Sequence, residues 1–282
     1  MTVQSVHRAA KLLRALAGTP VPRHRWAPEA HVGHRLSDLA RAADLDKATT
    51  HRLLASLADE GLVELDPDTR RYRLGLELFV LGNAFLPRFD LRELAAGSLS
   101  RLAQETGDTV YLSIRQQLQA VCLDRREGAF PIKTLPLDIG SRRPLGIGAG
   151  SLAILAFEPD PLVERAIAAG RSERTAFGVF PDERIWQMVQ ATRQRGHAIN
   201  PGETVTGMSA VGVPILNSAG NVRAAVSIAA ISERLEGERR ERAIALLQQE
   251  ARTIAAGLSS KPAAQSARQA ERSAGRLEQT GG

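Results

Sequence analysis

Polar and basic side chains lie along one face of an amphipathic segment near the N-terminus. In the run LDKATTHRLLASLADEGLVEL, residues 45–65, a helix would bring Leu53, Leu54 and Leu57 to one side, because each residue advances about 100°. The opposite side carries His51 and Arg52. An arginine side chain can donate two hydrogen bonds to guanine or contact a phosphate, so this face has the chemistry of nucleic-acid recognition. A merely solvated helix face is the alternative.

Residues suited to catalysis or metal binding are sparse. Cys122 is the single cysteine, and its apolar surroundings, AVCLD, predict a buried structural thiol. Histidines cluster in RHRWAPEAHVGH, but this Pro- and Gly-containing loop lacks the ordered spacing of metal ligands. Asp182 and Glu183 stand at a helix start, where the helix dipole favours acids for structural reasons. We therefore expect no enzyme activity, no metal and no cofactor.

The polar face needs neighbouring elements to position it. Two helices are predicted before it: VQSVHRAAKLLRALAG, and RLSDLARAADL with Ser37 as its cap. Asp46 is placed to cap the third helix, and Gly61 to end it. The first helix is expected to bury a stripe of Val3, Val6, Ala10, Leu13 and Leu16.

Strand-like runs follow the third helix. LVEL and RRYRLG flank the turn DPDT and predict a hairpin. Three helices and a hairpin in this order are typical of a winged helix-turn-helix domain, whose second turn helix enters the major groove of DNA. We therefore predict contacts to double-stranded DNA from the polar face and the hairpin, at Lys47, Ala48, Thr49, His51, Arg52, Arg70 and Arg71.

The rest of the chain predicts a second domain. LGLELFVLGNAF is apolar nearly all round a helix, so a homodimer contact is expected there, with pairing into tetramers left open. Strand-like runs then alternate with helices, which indicates an α+β domain. The predicted organisation is a DNA-binding domain at 1–74, a linker helix at 75–89, an α+β domain at 90–258 and a disordered tail at 259–282. A weak helix or an arm that contacts nucleic acid is the alternative for the tail.

The stretch GIGAGS opens a helix of the second domain with glycines. Small side chains let a ligand approach the backbone, and free N–H groups at a helix start attract anions, so a small carboxylate is the expected ligand. Glycines that merely allow tight packing of a helix on a sheet are the alternative. The motif lacks the strand and acidic residue of a dinucleotide site.

Long contiguous blocks carry a family resemblance. DKATTHRLLASLADEGLVELDPDTRRYRLGLELFVLG resembles the DNA-binding half of the isocitrate lyase regulator (IclR) family. GSRRPLGIGAGSLAILA, RGHAINPGETVTGMSAVGVPIL and AGNVRAAVSIAA resemble its effector-domain blocks, so the likeness covers roughly residues 3–258. The resemblance implies a GAF-like effector domain with a pocket formed by Gly148, Ala149, Asn200, Met208, Ala210 and Ser227.

The predicted function is a ligand-responsive transcriptional regulator that senses a small metabolite and controls a catabolic operon. One alternative is a constitutive DNA-binding regulator whose second domain only oligomerises, since Ala210 and Ala229 replace residues that are often Cys and Ser in the family. An enzyme of GAF-like fold, such as a sulfoxide reductase, would need active-site thiols. No apolar run approaches the ~20 residues of a bilayer span, which indicates a cytoplasmic protein without a membrane partner.

Overall fold

The computed structural model describes residues 3–17, 33–85, 90–133 and 137–278, the side chains of 83–85, 90 and 260–278 excepted. The chain divides into two compact units, Met1–Phe89 and Asp90–Gly282. Most of the loop predicted between Thr19 and His34 lies outside the described residues. Among the helices that are described, none combines the length and apolarity needed to cross a membrane.

The first unit contains four helices and one hairpin in its described part. Their bounds are α1 Gln4–Ala17, α2 Leu36–Ala43, α3 Lys47–Asp59, β1 Val63–Leu65, β2 Tyr72–Leu74 and α4 Glu77–Phe85. Strands β1 and β2 are antiparallel, as the turn DPDT predicts. Helix α4 occupies most of the predicted linker helix, whose last residues, 86–89, are outside the described part. The helix-turn-helix order predicted from the sequence is confirmed.

Two details of the first unit differ from prediction. Val3 and Val6 are exposed, whereas Leu12 and Leu16 are buried, because α1 packs on α2 and α3 through its C-terminal half. Ser37 does not cap α2, because the helix already begins at Leu36 and places the serine within its first turn. The N-cap is Arg35, without a side-chain capping bond.

Helix α3 is fixed at its start by Asp46. The Asp46 carboxylate accepts a hydrogen bond of 2.8 Å from the backbone N–H of Thr49, which satisfies one of the free donors at a helix N-terminus. This bond lowers the pKa of Asp46. The buried Thr50 donates its hydroxyl to the Asp46 carbonyl at 2.8 Å, so a polar side chain faces the core at no hydrogen-bond cost.

The second unit is built on a six-stranded antiparallel sheet of order β5-β4-β3-β8-β7-β6. Its strands are β3 Thr109–Gln116, β4 Gln119–Arg126, β5 Arg142–Pro144, β6 Ala198–Asn200, β7 Met208–Leu216 and β8 Val222–Ile231. Its helices are α5 Asp90–Thr106, α6 Ala149–Ala156, α7 Asp160–Ala169, α8 Arg171–Arg174, α9 Asp182–Arg195 and α10 Gly237–Glu278. The α+β class predicted from the sequence is confirmed.

Separate apolar clusters form around the sheet. Helices α5 and α10 pack with β3, β7 and β8, whereas α6, α7 and α9 contribute to a second cluster.

Strands β5 and β6 were not predicted, because three residues are too few to show an alternating pattern.

The tail predicted to be disordered from residue 259 differs in the structure. Helix α10 continues to Glu278, and only residues 279–282 lie outside the described backbone. The segment is rich in Ala, Gln, Arg and Glu, which favour helix, and extending an existing helix avoids the cost of nucleation. The low apolar content that indicated disorder therefore did not exclude a helical backbone.

Candidate functional site

The polar face of α3 is presented to solvent. Lys47, Ala48, His51 and Arg52 are exposed, and Thr49 is half-buried at the edge of the face. Thr50, Leu54 and Leu57 on the opposite side are buried in the core of the first unit. The structure therefore keeps the predicted contact residues of α3 on one face. All of them except Ala48 have side chains that can donate hydrogen bonds to bases or phosphates.

A basic groove lies beside this face. It is lined by residues from the start of α2, the start of α3 and the hairpin turn: Arg35, Leu36, Ser37, Lys47, Thr69 and Arg70. Cations and helix N-termini attract phosphate, so the groove suits the DNA backbone. Arg35 was missed in the sequence, although its place directly before a helix was a usable signal.

The two predicted hairpin arginines have different surroundings. Arg70, which lines the basic groove, adopts a left-handed backbone with φ of 55° and is exposed. Arg71 instead donates from Nη1 to the Gly33 carbonyl at 2.9 Å. The neighbouring Tyr72 exchanges two backbone hydrogen bonds of 2.8 Å with His34. Arg71 therefore helps to anchor the hairpin on the segment before α2.

The second unit contains a cavity between the start of α6 and the sheet. The cavity is concave, opens to solvent, and is lined by apolar side chains with a few neutral polar groups and one arginine. The structure brings together in its lining every residue that the family resemblance placed in the pocket: Gly148, Ala149, Asn200, Met208, Ala210 and Ser227. No group of three His, Cys, Asp or Glu that could hold a metal occurs among the described residues.

The glycines at this end of α6 have different roles. Gly148 is the N-cap residue and has φ of 85°, which favours glycine. A Cβ on Gly150 would lie 3.0 Å from Ser227 Oγ, and a Cβ on Gly212 would lie 2.6 Å from the Ala149 carbonyl oxygen. Gly150 of the GIGAGS stretch and Gly212 of β7 therefore allow α6 to pack closely on the sheet. This packing was the alternative explanation for the glycines of GIGAGS.

The side chain of Asn200 is engaged within its own loop. Its Oδ1 accepts from the backbone N–H groups of Gly202 and Glu203, each at 3.1 Å, and its Nδ2 donates to Thr204 Oγ1 at 2.7 Å. Thr204 and the adjacent Val205 line the cavity. Asn200 thus shapes the cavity wall by holding this turn through hydrogen bonds from both its Oδ1 and its Nδ2.

Three further lining residues were not singled out as ligand contacts from the sequence. Tyr111 and Cys122 are buried, and burial raises the pKa of both groups, that of Cys122 to about 11. The thiol is therefore protonated at neutral pH, which agrees with the structural role predicted for it. Arg143 brings a guanidinium to the cavity, and burial lowers its pKa. Its place in SRRPLGIGAG, shortly before the glycines, was the available signal.

Comparisons with known proteins identify both units. Residues 5–67 match the IclR helix-turn-helix domain, and residues 83–256 match the bacterial transcriptional regulator IclR C-terminal domain. The glycerol operon regulatory protein of Streptomyces coelicolor is 33% identical over 258 residues, 91% of this chain and 96% of that protein. The regulator KipR of Bacillus subtilis is 30% identical, covering 72% of this chain and 81% of its own length.

Solved structures give the same answer. An IclR transcriptional regulator from Alicyclobacillus acidocaldarius superposes with a TM-score of 0.73 and 27% identity, over 91% of this chain and 99% of that one. An IclR homologue from Microbacterium hydrocarbonoxydans, complexed with 4-hydroxybenzoate, has the same fold, with a TM-score of 0.70 and 21% identity over 89% and 98% of the chains. Both matching domains and these relatives are those of transcriptional regulators rather than enzymes. The chain therefore belongs to the IclR family of DNA-binding bacterial transcriptional regulators.

Proposed function

We propose that this regulator is ligand-responsive, with operator DNA bound by the first unit and a small carboxylate bound in the cavity of the second. The observation that carries the proposal is the convergence of residues from α6, β6, β7 and β8 on one cavity. These residues are far apart in the sequence, and a concave site with a few convergent polar groups supports ligand binding rather than oligomerisation alone.

The carboxylate preference rests on the start of α6. The first N–H groups of a helix lack partners within the helix and carry partial positive charge, which favours an anion. Gly148 and Ala149 place this backbone at the cavity, and Ser227 adds a hydroxyl from β8. The complex of the Microbacterium homologue contains a carboxylate, 4-hydroxybenzoate, which supports the same ligand class here.

On the DNA side, α3 would enter the major groove, with Arg52 and His51 towards base edges. The basic groove containing Arg35, Lys47 and Arg70 would hold phosphates beside it. The relative named for a glycerol operon supports control of a catabolic operon, and we place the protein in the cytoplasm with its DNA.

Regulation requires a connection between paired copies. Phe79, Val80 and Leu81 of α4 and the preceding Leu76 are exposed apolar side chains. They would pair with a second copy to form a homodimer on a two-fold symmetric operator. An effector could then change operator binding only if it binds two arrangements of the dimer unequally. Pairing of dimers into tetramers would extend the same scheme.

The test combines operator binding with effector titration. Gel shifts on the DNA flanking the gene would be run with a panel of aliphatic and aromatic carboxylates, each also titrated calorimetrically. We expect Ser227→Ala to weaken binding of an active acid by about 1.5–3 kcal/mol, since one donor to a charged group is lost. Ala149→Leu would fill the cavity. Both variants should retain operator binding, because the first unit is separate.

The matched control is Ser218→Ala, which removes an exposed hydroxyl in the turn between β7 and β8. It should behave as wild type. Operator binding that no acid changes, together with the absence of calorimetric binding, would favour the constitutive regulator whose second domain only oligomerises. An acid that Ser227→Ala binds as tightly as wild type would place the ligand elsewhere.

A further inference from the structure

Two adjacent arginines on the edge strand β5 have different environments. Arg142 is exposed and donates to the side chains of Gln116 and Gln119. Arg143 pairs in register with Ala120 of β4, and both residues line the cavity. Because successive side chains of a strand point to opposite faces, one arginine serves the surface and the other the cavity.

The guanidinium of Arg143 is held in place by its neighbours. Its Cζ lies 5.1 Å from the centroid of the Phe177 ring, within the range of a cation–π contact. A Cβ on Gly148 would lie 3.4 Å from Arg143 Nη1, so the guanidinium stands beside the N-cap of α6. A cation and the positive end of a helix therefore meet at the same end of the cavity.

The cavity has a positive balance of charge. Arg143 is the one ionised side chain among the described residues that line it, and the others are apolar or neutral polar groups, including the hydroxyls of Ser113, Ser141 and Ser227. The Arg143 side chain is half-buried, and this burial lowers its pKa. An anion in the cavity would offset this desolvation.

We propose that Arg143 selects an anionic effector by donating hydrogen bonds to its carboxylate beside the start of α6. Phe177 is the positioning residue that holds the guanidinium plane. The inference rests on the proposed effector role of the cavity. It assigns the selectivity for charged ligands to the Arg143 side chain, because the helix backbone and Ser227 can also donate hydrogen bonds to neutral ligands. A neutral analogue of the same shape would lack this ion pair with Arg143.

The test uses pairs of probes that differ in one group: glycerate against glycerol, and 4-hydroxybenzoate against 4-hydroxybenzyl alcohol. Isothermal titration would be performed on the full chain as wild type, Arg143→Gln, Arg143→Lys and the control Arg142→Gln. We expect wild type to bind an acid more tightly than its alcohol. Arg143→Gln should weaken that acid about 10- to 100-fold and leave the alcohol unchanged, because charged hydrogen bonds are lost.

The variants separate charge from geometry. The affinity of Arg143→Lys for the acid should fall between those of wild type and Arg143→Gln, because lysine keeps the charge but lacks the planar guanidinium that makes two parallel hydrogen bonds. Arg142→Gln should bind both probes as wild type does. Phe177→Ala should weaken the acid more than the alcohol, and Phe177→Tyr should restore the acid, because the ring face is retained. Equal loss of both probes would instead mean that Phe177 only supports the fold.

Each result bears on a different claim. An acid bound equally by wild type and Arg143→Gln would overturn the selectivity of Arg143 while leaving ligand sensing intact. If wild type binds the alcohols as tightly as the acids, the selectivity of Arg143 would also be overturned, and this result does not depend on any variant folding. Failure of all four probes to bind wild type would contradict the proposed effector role itself, and the inference with it.

Discussion

The carboxylate of Asp124 is completely buried, and its Oδ2 lies 3.4 Å from Nε of Arg92 near the start of α5. A bulge makes this contact possible: Ser113 pairs with Cys122 and Leu112 with Asp124, so Leu123 is an extra residue in β4. The bulge lets β4 place Cys122 in the cavity lining and, two residues later, Asp124 against the first helix of the second unit.

We expect Arg92→Ala to lower the free energy of unfolding of the second unit by about 1–3 kcal/mol, because the buried carboxylate loses a nearby cation that forms an ion pair, without a hydrogen bond, to Oδ2. Arg126 Nη1 lies 2.9 Å from Oδ1 of Asp124, and this remaining ion pair would limit the loss of stability. Urea denaturation would measure it. Glu241→Ala, which removes an exposed pair with Arg240, is the control and should cost no more than about 0.5 kcal/mol. Equal effects of the two changes would contradict the assigned role of the pair.

For operator recognition, we expect Arg52→Ala to weaken specific binding by about 1–3 kcal/mol, because its exposed guanidinium is placed to contact a base. Arg70→Ala should weaken operator and scrambled duplex alike and reduce the salt dependence, as loss of a phosphate contact does. Gel-shift titrations at matched salt would compare them with Arg195→Ala, an exposed arginine of the second unit. Unchanged affinity of Arg52→Ala for both duplexes would remove α3 as the recognition helix.

Arg71 is expected to act differently. Because its guanidinium holds the Gly33 carbonyl, Arg71→Ala should reduce DNA binding mainly by loosening the hairpin. The first unit should then unfold at a lower temperature, whereas Arg70→Ala should leave that temperature unchanged. Circular dichroism melts of both variants would distinguish the roles.

Association through α4 predicts a large effect of a charge at Phe79, whose side chain is 67% exposed in the single chain. Phe79→Glu would bury a carboxylate in the contact between copies and should shift the protein towards monomer. Sedimentation velocity would measure this shift. Val179→Glu is the matched control, because Val179 is 94% exposed and lies outside α4. Wild-type protein that is monomeric at micromolar concentration would contradict the interface.

A pH-dependent contribution to stability is expected from Glu250, which joins α10 to α5. Arg101 donates to its two oxygens at 2.8 and 2.7 Å, and these bonds lower the pKa of Glu250 below its usual 4.5. A carboxyl with a lowered folded-state pKa stabilises the fold above the unfolded-state pKa and loses that contribution as pH falls through the folded-state value. Wild type should therefore be more stable than Glu250→Gln near neutral pH.

Urea denaturation over a pH series would show whether this difference shrinks as the pH falls below 4.5. The other carboxyl groups that titrate in this range are present in both proteins, so a change in the difference would report the Glu250 carboxyl. A difference between wild type and Glu250→Gln that is constant across the acidic range would exclude the Arg101 pair as its source.

The sequence alone determined the order of elements in the first unit and the family. Apolar residues at helical spacing, Asp46 at a helix start and the DPDT turn are local signals, because capping and turn geometry depend on a few neighbouring residues. The exposed face of α3 followed directly from the position of Leu54 and Leu57. The residues around the cavity were collected by resemblance, since no local pattern links Gly148 with Ser227.

The tertiary structure decided how side chains with the same local pattern are used. Arg70 and Arg71 are adjacent and alike in the sequence, yet only the fold brings the Gly33 carbonyl to Arg71. Arg142 and Arg143 differ because β5 pairs with β4 and sends one of them into the cavity. Asn200 lines the cavity, and only the folded loop brings the backbone N–H groups of Gly202 and Glu203 to its Oδ1. Such roles depend on contacts between distant segments, and therefore on packing that no short stretch of sequence specifies.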